Sequence, residues 1–297
     1  VAYYCVPSTE SALILRNSAE ALSVTFYSGE TAGNADGAVT IGIVDANGDT
    51  VVAAGTATSA PGSGVYNYTL AGLTNLARLT ATWSGTFGGN AMTFTTQHEI
   101  TGGFYTTPPE VRAMDSISGE TGVYPTSDLV KAITWATNII DDYCGTSFVY
   151  RYHRDVHDGN NTSDLKLDNL FPQVVIAGSI GGVALTATQI TDLNKYRSGV
   201  IRLKDDIWEF NNPGGGVVVN YEAGVVKTPP GDIAWAAQTL ARYFLLEMLS
   251  RIPERATSIA SEFGNIQLAQ PGMNRPTDLP SVNTVLNRHR HRAPVAF

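Results

Sequence analysis

Along the first hundred residues, apolar and polar side chains alternate with a period of two. Residues 23–27, 38–44, 65–70 and 79–83 each place a β-branched or aromatic side chain at about every second position. That is the spacing at which side chains return to one face of a strand. The stretches between them, 45–49, 61–64 and 88–90, are rich in Gly, Asn, Asp, Ser and Pro, which is turn chemistry. Short strands at such spacing, with no helical stretch among them, predict a β-sandwich over residues 1–105. Gly102-Gly103 and Pro108-Pro109 favour extended backbone and mark a joint.

From Glu110 the period lengthens. A short helix is predicted over about 110–117. A stronger one spans 127–144, with Thr126 or Ser127 as N-cap and Asp128 in the positively polarised first turn. Leu129, Ala132, Ile133, Ala136, Ile140 and Tyr143 form its apolar stripe, and Gly145 supplies a left-handed stop. Strands follow over 148–156, 165–167, 173–177, 200–203 and 217–221. A long helix over 232–251 carries the stripe Ile233, Ala236, Ala237, Leu240, Phe244 and Met248. A last helix is expected over 254–263, closing at Gly264. Residues 264–297 hold four prolines and little apolar content, which predicts an extended arm rather than core. The fold class is α+β multidomain: a sandwich (1–105), a helical domain with an inserted β-sheet (106–263) and an extended C-terminal arm (264–297).

Charge separates the same three parts. The chain has 297 residues and a net charge of −8; residues 1–110 carry −6, residues 111–263 carry −5, and the remainder carries +3. An acidic body with a basic tail suggests different partners for the two. It also argues against broad gripping of nucleic acid, which needs clustered Lys and Arg. No apolar run approaches the ~20 residues that span a bilayer. Nothing at the start reads as a secretory signal, and a trimmed initiator Met is expected. Cys5 and Cys144 lie far apart and are expected to be separate, reduced and mostly buried.

Candidate chemistry is thin. His153, Asp155 and His157 would share one face of a strand, yet alternate positions lie about 6.5–7 Å apart, so three ligands on one strand converge poorly on a metal. Gly178 to Gly182 lacks a following Lys-Ser/Thr, and Gly214 to Gly216 leads into a strand, so neither is a phosphate loop. Asp205-Asp206 and Asp141-Asp142 are adjacent pairs whose side chains diverge. No catalytic residue, metal or cofactor is therefore assigned. Asp141 and Asp142, in the last turn of a helix, oppose its negative end, which makes them candidates to meet a neighbouring subunit's Arg or Lys. His289 and His291 alternate with Arg288, Arg290 and Arg292, a basic patch suited to an acidic protein surface or to phosphates.

The order of motifs carries two resemblances. Gly64, Tyr66 and Trp83 sit as they do in immunoglobulin-like (Ig-like) modules appended to phage structural proteins, without the paired Cys of antibody domains. Residues 139–145 (Ile-Ile-Asp-Asp-Tyr-Cys-Gly), Phe148, 165–175, 217–224 running to Pro229-Pro230-Gly231-Asp232-Ile233, and 279–288 together resemble the head-to-tail connector (adaptor) proteins of long-tailed bacteriophages. The likeness spans about 110–292. It implies a non-enzymatic virion protein of the neck, assembled in the host cytoplasm. The family forms a ring, commonly of twelve copies, that binds the portal protein above and the next neck or tail protein (stopper or tail terminator) below. DNA passes through its lumen during genome ejection without sequence-specific binding. Leu279, Val282, Val285 and Leu286 would then form the apolar face of a portal-binding helix, with Arg288, Arg290 and Arg292 at its end. The sandwich is an addition to the minimal adaptor. Two other readings remain: a surface carbohydrate- or cell-wall-binding module with Tyr66, Tyr68 and Trp83 as platform, and a metal-dependent hydrolase using the 153–158 cluster.

Overall fold

The computed structural model describes residues 3–7, 13–62, 64–114, 117–209, 216–248, 258–261, 264–267, 277 and 279–291. The chain first runs through β1 (Tyr3–Pro7), β2 (Leu13–Leu15), β3 (Glu20–Ser28), β4 (Thr31–Ala32) and β5 (Thr40–Asp45). Next come β6 (Thr50–Ala57), β7 (Ser59–Gly62), β8 (Val65–Leu70), β9 (Ala77–Phe87) and β10 (Asn90–Thr101). Helices α1 (Pro108–Arg112) and α2 (Thr126–Cys144) precede β11 (Arg151–His157), β12 (Asp164–Lys166), β13 (Pro172–Ile180) and β14 (Val183–Ala184). Then follow α3 (Ala187–Asp192), β15 (Asn194–Lys195), β16 (Val200–Arg202), β17 (Val217–Ala223) and α4 (Gly231–Met248). A hairpin, β18 (Ser258–Ser261) with β19 (Gly264–Gln267), and α5 (Pro280–His289) end the described chain. The fold is α+β.

Two compact units emerge: residues 1–104 with 147–228, and residues 105–146 with 229–297. The sequence pattern groups 147–228 with the helices; in space these strands join the N-terminal sheets. In the first unit, sheets β1-β3-β8-β7 and β2-β10-β9-β5-β6 close on one core. Leu22, Val24, Phe26 and Tyr66 come from one sheet; Ile41, Leu79, Trp83 and Phe87 come from the other. Burial of these aromatic and branched side chains, about 1.5–3 kcal/mol for each fully covered one, holds the sandwich closed.

The third sheet, β11-β17-β13-β14, has two covered faces. Tyr152 joins the N-terminal core, while Val217, Val219, Tyr221 and Ala223 pack with Trp208, Leu165 and Ile201 around the small sheet β12-β16-β15. Polar groups fasten the first face. Arg16 pairs with Glu222 at 2.7 Å, where Glu222 is only 3% exposed. Arg151 grips both oxygens of Glu99 at 2.9 and 2.8 Å, the bidentate geometry that makes such pairs strong. Tyr152 donates to Asn220, and Asn220 donates to Asn47, each at 2.8 Å. Gly102 permits the backbone approach: a Cβ there would stand 2.8 Å from that of Tyr150.

Three helix expectations change. α1 starts at Pro108 rather than Glu110, because the two prolines occupy the first turn, where their fixed φ is pre-organised. Glu110 there accepts from the Thr107 backbone N–H at 2.7 Å. α2 follows the 127–144 expectation but is entered from Pro125 as N-cap, and Gly145 closes it with φ 67°. In place of a helix over 254–263, Ser258–Ser261 pairs antiparallel with Gly264–Gln267, with Ile259 opposite Ile266. Serines are weak helix interior residues, and the two Ile-centred runs suit a hairpin better. Residues 249–257, 262–263, 268–276 and 292–297 lie outside the described residues, so the expected helix end at Arg251 and part of the arm fall there.

Candidate functional site

The residues singled out for assembly all fall in the helical unit. The α2 stripe buries Leu129, Ala132, Ile133, Ala136 and Ile140; α4 buries Ile233, Ala236, Ala237, Leu240, Ala241 and Leu245. The two helices pack together, and Trp135 stacks on Phe244 with ring centroids 4.6 Å apart. Their shared groove receives α5, which lies against both. Val282 and Leu286 are 0% exposed there, whereas Leu279 and Val285 are half-buried. The extended arm expected over 264–297 is thus, over Pro280–His289, a helix docked on its own chain, because an amphipathic segment finds a ready apolar groove beside it.

Polar contacts lock both ends of α5. At its start, buried Asn283 donates to the Thr277 carbonyl at 2.7 Å and accepts from the Thr277 hydroxyl at 2.8 Å. At its end, His289 contacts Asp232 at 2.8 Å, and Arg288 stands 3.6 Å from the same carboxylate. Asp232 occupies the first turn of α4 and its N–H-rich end. Burial alone would raise its pKa; the hydrogen bond and charge of His289, with the Ile233 N–H, outweigh that and hold it below the usual carboxylate range. The basic last turn of α5 also agrees with its own dipole.

The C-terminal end of α2 meets the end of α5. Tyr143 donates to Asn287 at 2.5 Å, the Arg290 guanidinium lies 4.8 Å from the centre of the Tyr143 ring, and the His291 N–H donates to the Cys144 carbonyl at 2.9 Å. One carbonyl that ends α2 is thereby satisfied. Asp141 accepts a hydrogen bond from the buried Tyr105 hydroxyl. Asp142 is exposed. The Cys144 thiol is pushed up to about 12, first by burial and then by Asp141, against the opposing pull of Arg290. Cys5 and Cys144 are not joined in a disulfide.

On the outside of this helix cluster remain Asp142, Arg288, Arg290 and His291; Arg292 lies outside the described residues. The other readings fare differently. Tyr66 and Trp83 are 5% and 0% exposed, and Tyr68 packs partly against the same core, so the proposed aromatic platform is interior. The Trp83 indole donates to Thr96 at 3.2 Å, and Thr96 contacts His98 at 3.0 Å. His153 does not converge with Asp155 and His157; its ring tilts over Tyr221 at 5.5 Å. Burial there pushes its pKa down to about 4, with Arg151 and Arg78 adding to the effect and Glu99 opposing it. Sequence reasoning missed the docking of α5 and its partner Asp232, although the Asp-Ile opening of α4 and the basic end of α5 offered complementary charges.

Comparison with known proteins gives one family. Residues 105–251 match the family described as head completion protein. No curated protein matches. Among solved structures, a chain from the neck of an empty GTA particle aligns with a TM-score of 0.43 at 16% identity, covering 64% of this chain and 91% of that one. A chain from the virion of a native gene transfer agent (GTA) particle aligns with a TM-score of 0.40 at 16% identity and the same coverage.

Proposed function

Residues 105–251 of the chain belong to the head completion protein family, and from that premise we propose that the protein is a non-enzymatic neck component. In this reading it forms a ring under the portal, joins phage head to tail and lines the channel through which DNA leaves. The family match is the observation that carries the reading. Charge agrees with it: a net −8 repels a moving phosphate backbone, where a basic wall would retain it. Ring size, taken as twelve copies from the connector resemblance, and the neighbour below belong to the same proposal.

Val282 and Leu286 already sit in the α2–α4 groove, so the portal-facing role falls to the outward cations Arg288 and Arg290, with Leu279 and Val285 flanking. Of the acidic pair, Asp142 is the one offered to a neighbouring subunit; Asp141 is engaged by Tyr105. The carbohydrate-binding reading loses its platform with Tyr66 and Trp83 buried. The test is charge reversal of Arg288 and Arg290 together. The variant should keep its circular dichroism spectrum yet fail to join portal-bearing heads to tails; normal joining would refute the assignment of these cations.

A further inference from the structure

We propose that Asp155, His157 and Asp168 form a binding site for a divalent transition-metal ion, which ties β11 to the turn between β12 and β13. The period of two puts Asp155 and His157 on one face of β11, and two ligands on one strand do not enclose an ion. The third comes from elsewhere in the chain. Asp168 reaches in from the turn after β12, and one ligand atom from each of the three residues lies within 4.8 Å of the others. Ligands that share an ion tetrahedrally at about 2.0–2.2 Å stand about 3.3–3.6 Å apart, so the set closes by an inward shift that Asp168, exposed on its turn, is placed to make.

The arrangement is prepared on one side and incomplete on the other. Asp155 is 5% exposed, and its Oδ2 accepts from the Asp168 N–H and the Tyr221 hydroxyl, both at 2.7 Å. Such outer contacts fix a ligating carboxylate in place. His157 Nε2, by contrast, is covered by protein and has no hydrogen-bond partner; it stands 3.8 Å from Asp155 Oδ2, too far for a hydrogen bond. Covered nitrogens without a partner are uncommon and need a cause. Among the described residues, no Lys or Arg forms an ion pair with either carboxylate, so two carboxyl groups and an imidazole face one another. One imidazole with two carboxylates suits Zn²⁺ or Mn²⁺ better than Mg²⁺ or Ca²⁺, which prefer all-oxygen sets. His153, tilted over the Tyr221 ring, takes no part.

Titration calorimetry of the chelator-stripped full chain with Zn²⁺ and with Mn²⁺ tests this. One ion per chain should bind. Loss of outer-shell partners alone typically weakens metal binding about 10–100-fold, so Asp168→Asn and His157→Gln should each weaken it at least about tenfold, while His153→Gln leaves it unchanged. In the unsubstituted protein, Mn²⁺ should broaden the NMR signals of the His157 ring before those of any other histidine. Absence of binding by both ions overturns the proposal. So does undiminished binding in the Asp168→Asn/His157→Gln double variant, or broadening centred on His289 and His291.

Discussion

In the β-rich unit the key charged side chains turn inward and meet one another. Glu222 is almost wholly covered beside Arg16, and Glu99 and Arg151 are little more exposed. In the helical unit the charges stay near the surface. Asp232 binds its partners at a half-open site, and Asp142, Arg288 and Arg290 face outward. The physical consequence differs. A buried pair is costly to break because it leaves a charge without water or partner; an exposed pair contributes little stability and stays available to another molecule. The β-rich unit therefore uses charge to fasten three sheets into one body, and the helical unit uses apolar burial for stability and leaves its charges open to solvent.

The largest effect expected from that contrast is in the β-rich unit. Arg16→Ala strands Glu222 and should cost about 3–5 kcal/mol in urea unfolding followed through Trp83 and Trp208. A loss below about 1 kcal/mol would mean that water already reaches Glu222. In the helical unit, Leu286→Ala should cost about 2–5 kcal/mol, read through Trp135 and Trp235, because a fully buried leucine leaves a cavity between α2 and α4. An unchanged signal there would show that α5 does not dock on its own chain.

Acid should separate the two units. His98, with its pKa pushed down to about 4 by burial, stays neutral in the folded state, while its unfolded counterpart takes up a proton near pH 6.5. The unfolded state thus binds more protons between these values, so the β-rich unit loses stability as pH falls from about 6.5 to about 4. Asp232 acts lower. Its depressed folded pKa stabilises the α4–α5 contact above the ordinary carboxylate range, and that contribution disappears as pH falls through the folded value. Fluorescence-monitored unfolding at stepped pH, with Trp→Phe variants isolating each unit, should show the β-rich unit weakening first. The smallest expected change is that of Arg288→Glu with Arg290→Glu, below about 1 kcal/mol, even though assembly is lost.

The same contrast explains what was legible in the chain. Helices declare themselves locally: Leu129 to Ile140 repeat at three- and four-residue steps, Gly145 closes the run, and the structure places that stripe inside. Strands at 65–70 and 79–83 were equally plain. What a strand pairs with is not a local property. Arg16 finds Glu222 and Asn47 finds Asn220 across most of the chain, so the joining of 147–228 to the N-terminal sheets left no periodic trace. Asp168 was overlooked for the same reason, since the 153–158 cluster was weighed as one strand by itself. Helix α3 did carry a signal in Thr186 and Gln189, whose reciprocal bonds at 3.2 and 2.9 Å form a capping box. The docking of α5 was hidden because an amphipathic helix reads alike whether its groove belongs to a partner or to itself.

Electron microscopy of phage particles carrying a gold-labelled tag on this chain tests the central claim most directly. The account predicts label confined to the single vertex where the tail meets the head, with unlabelled capsid faces and tail tip. Label scattered over the capsid, or found only at the far end of the tail, would contradict it.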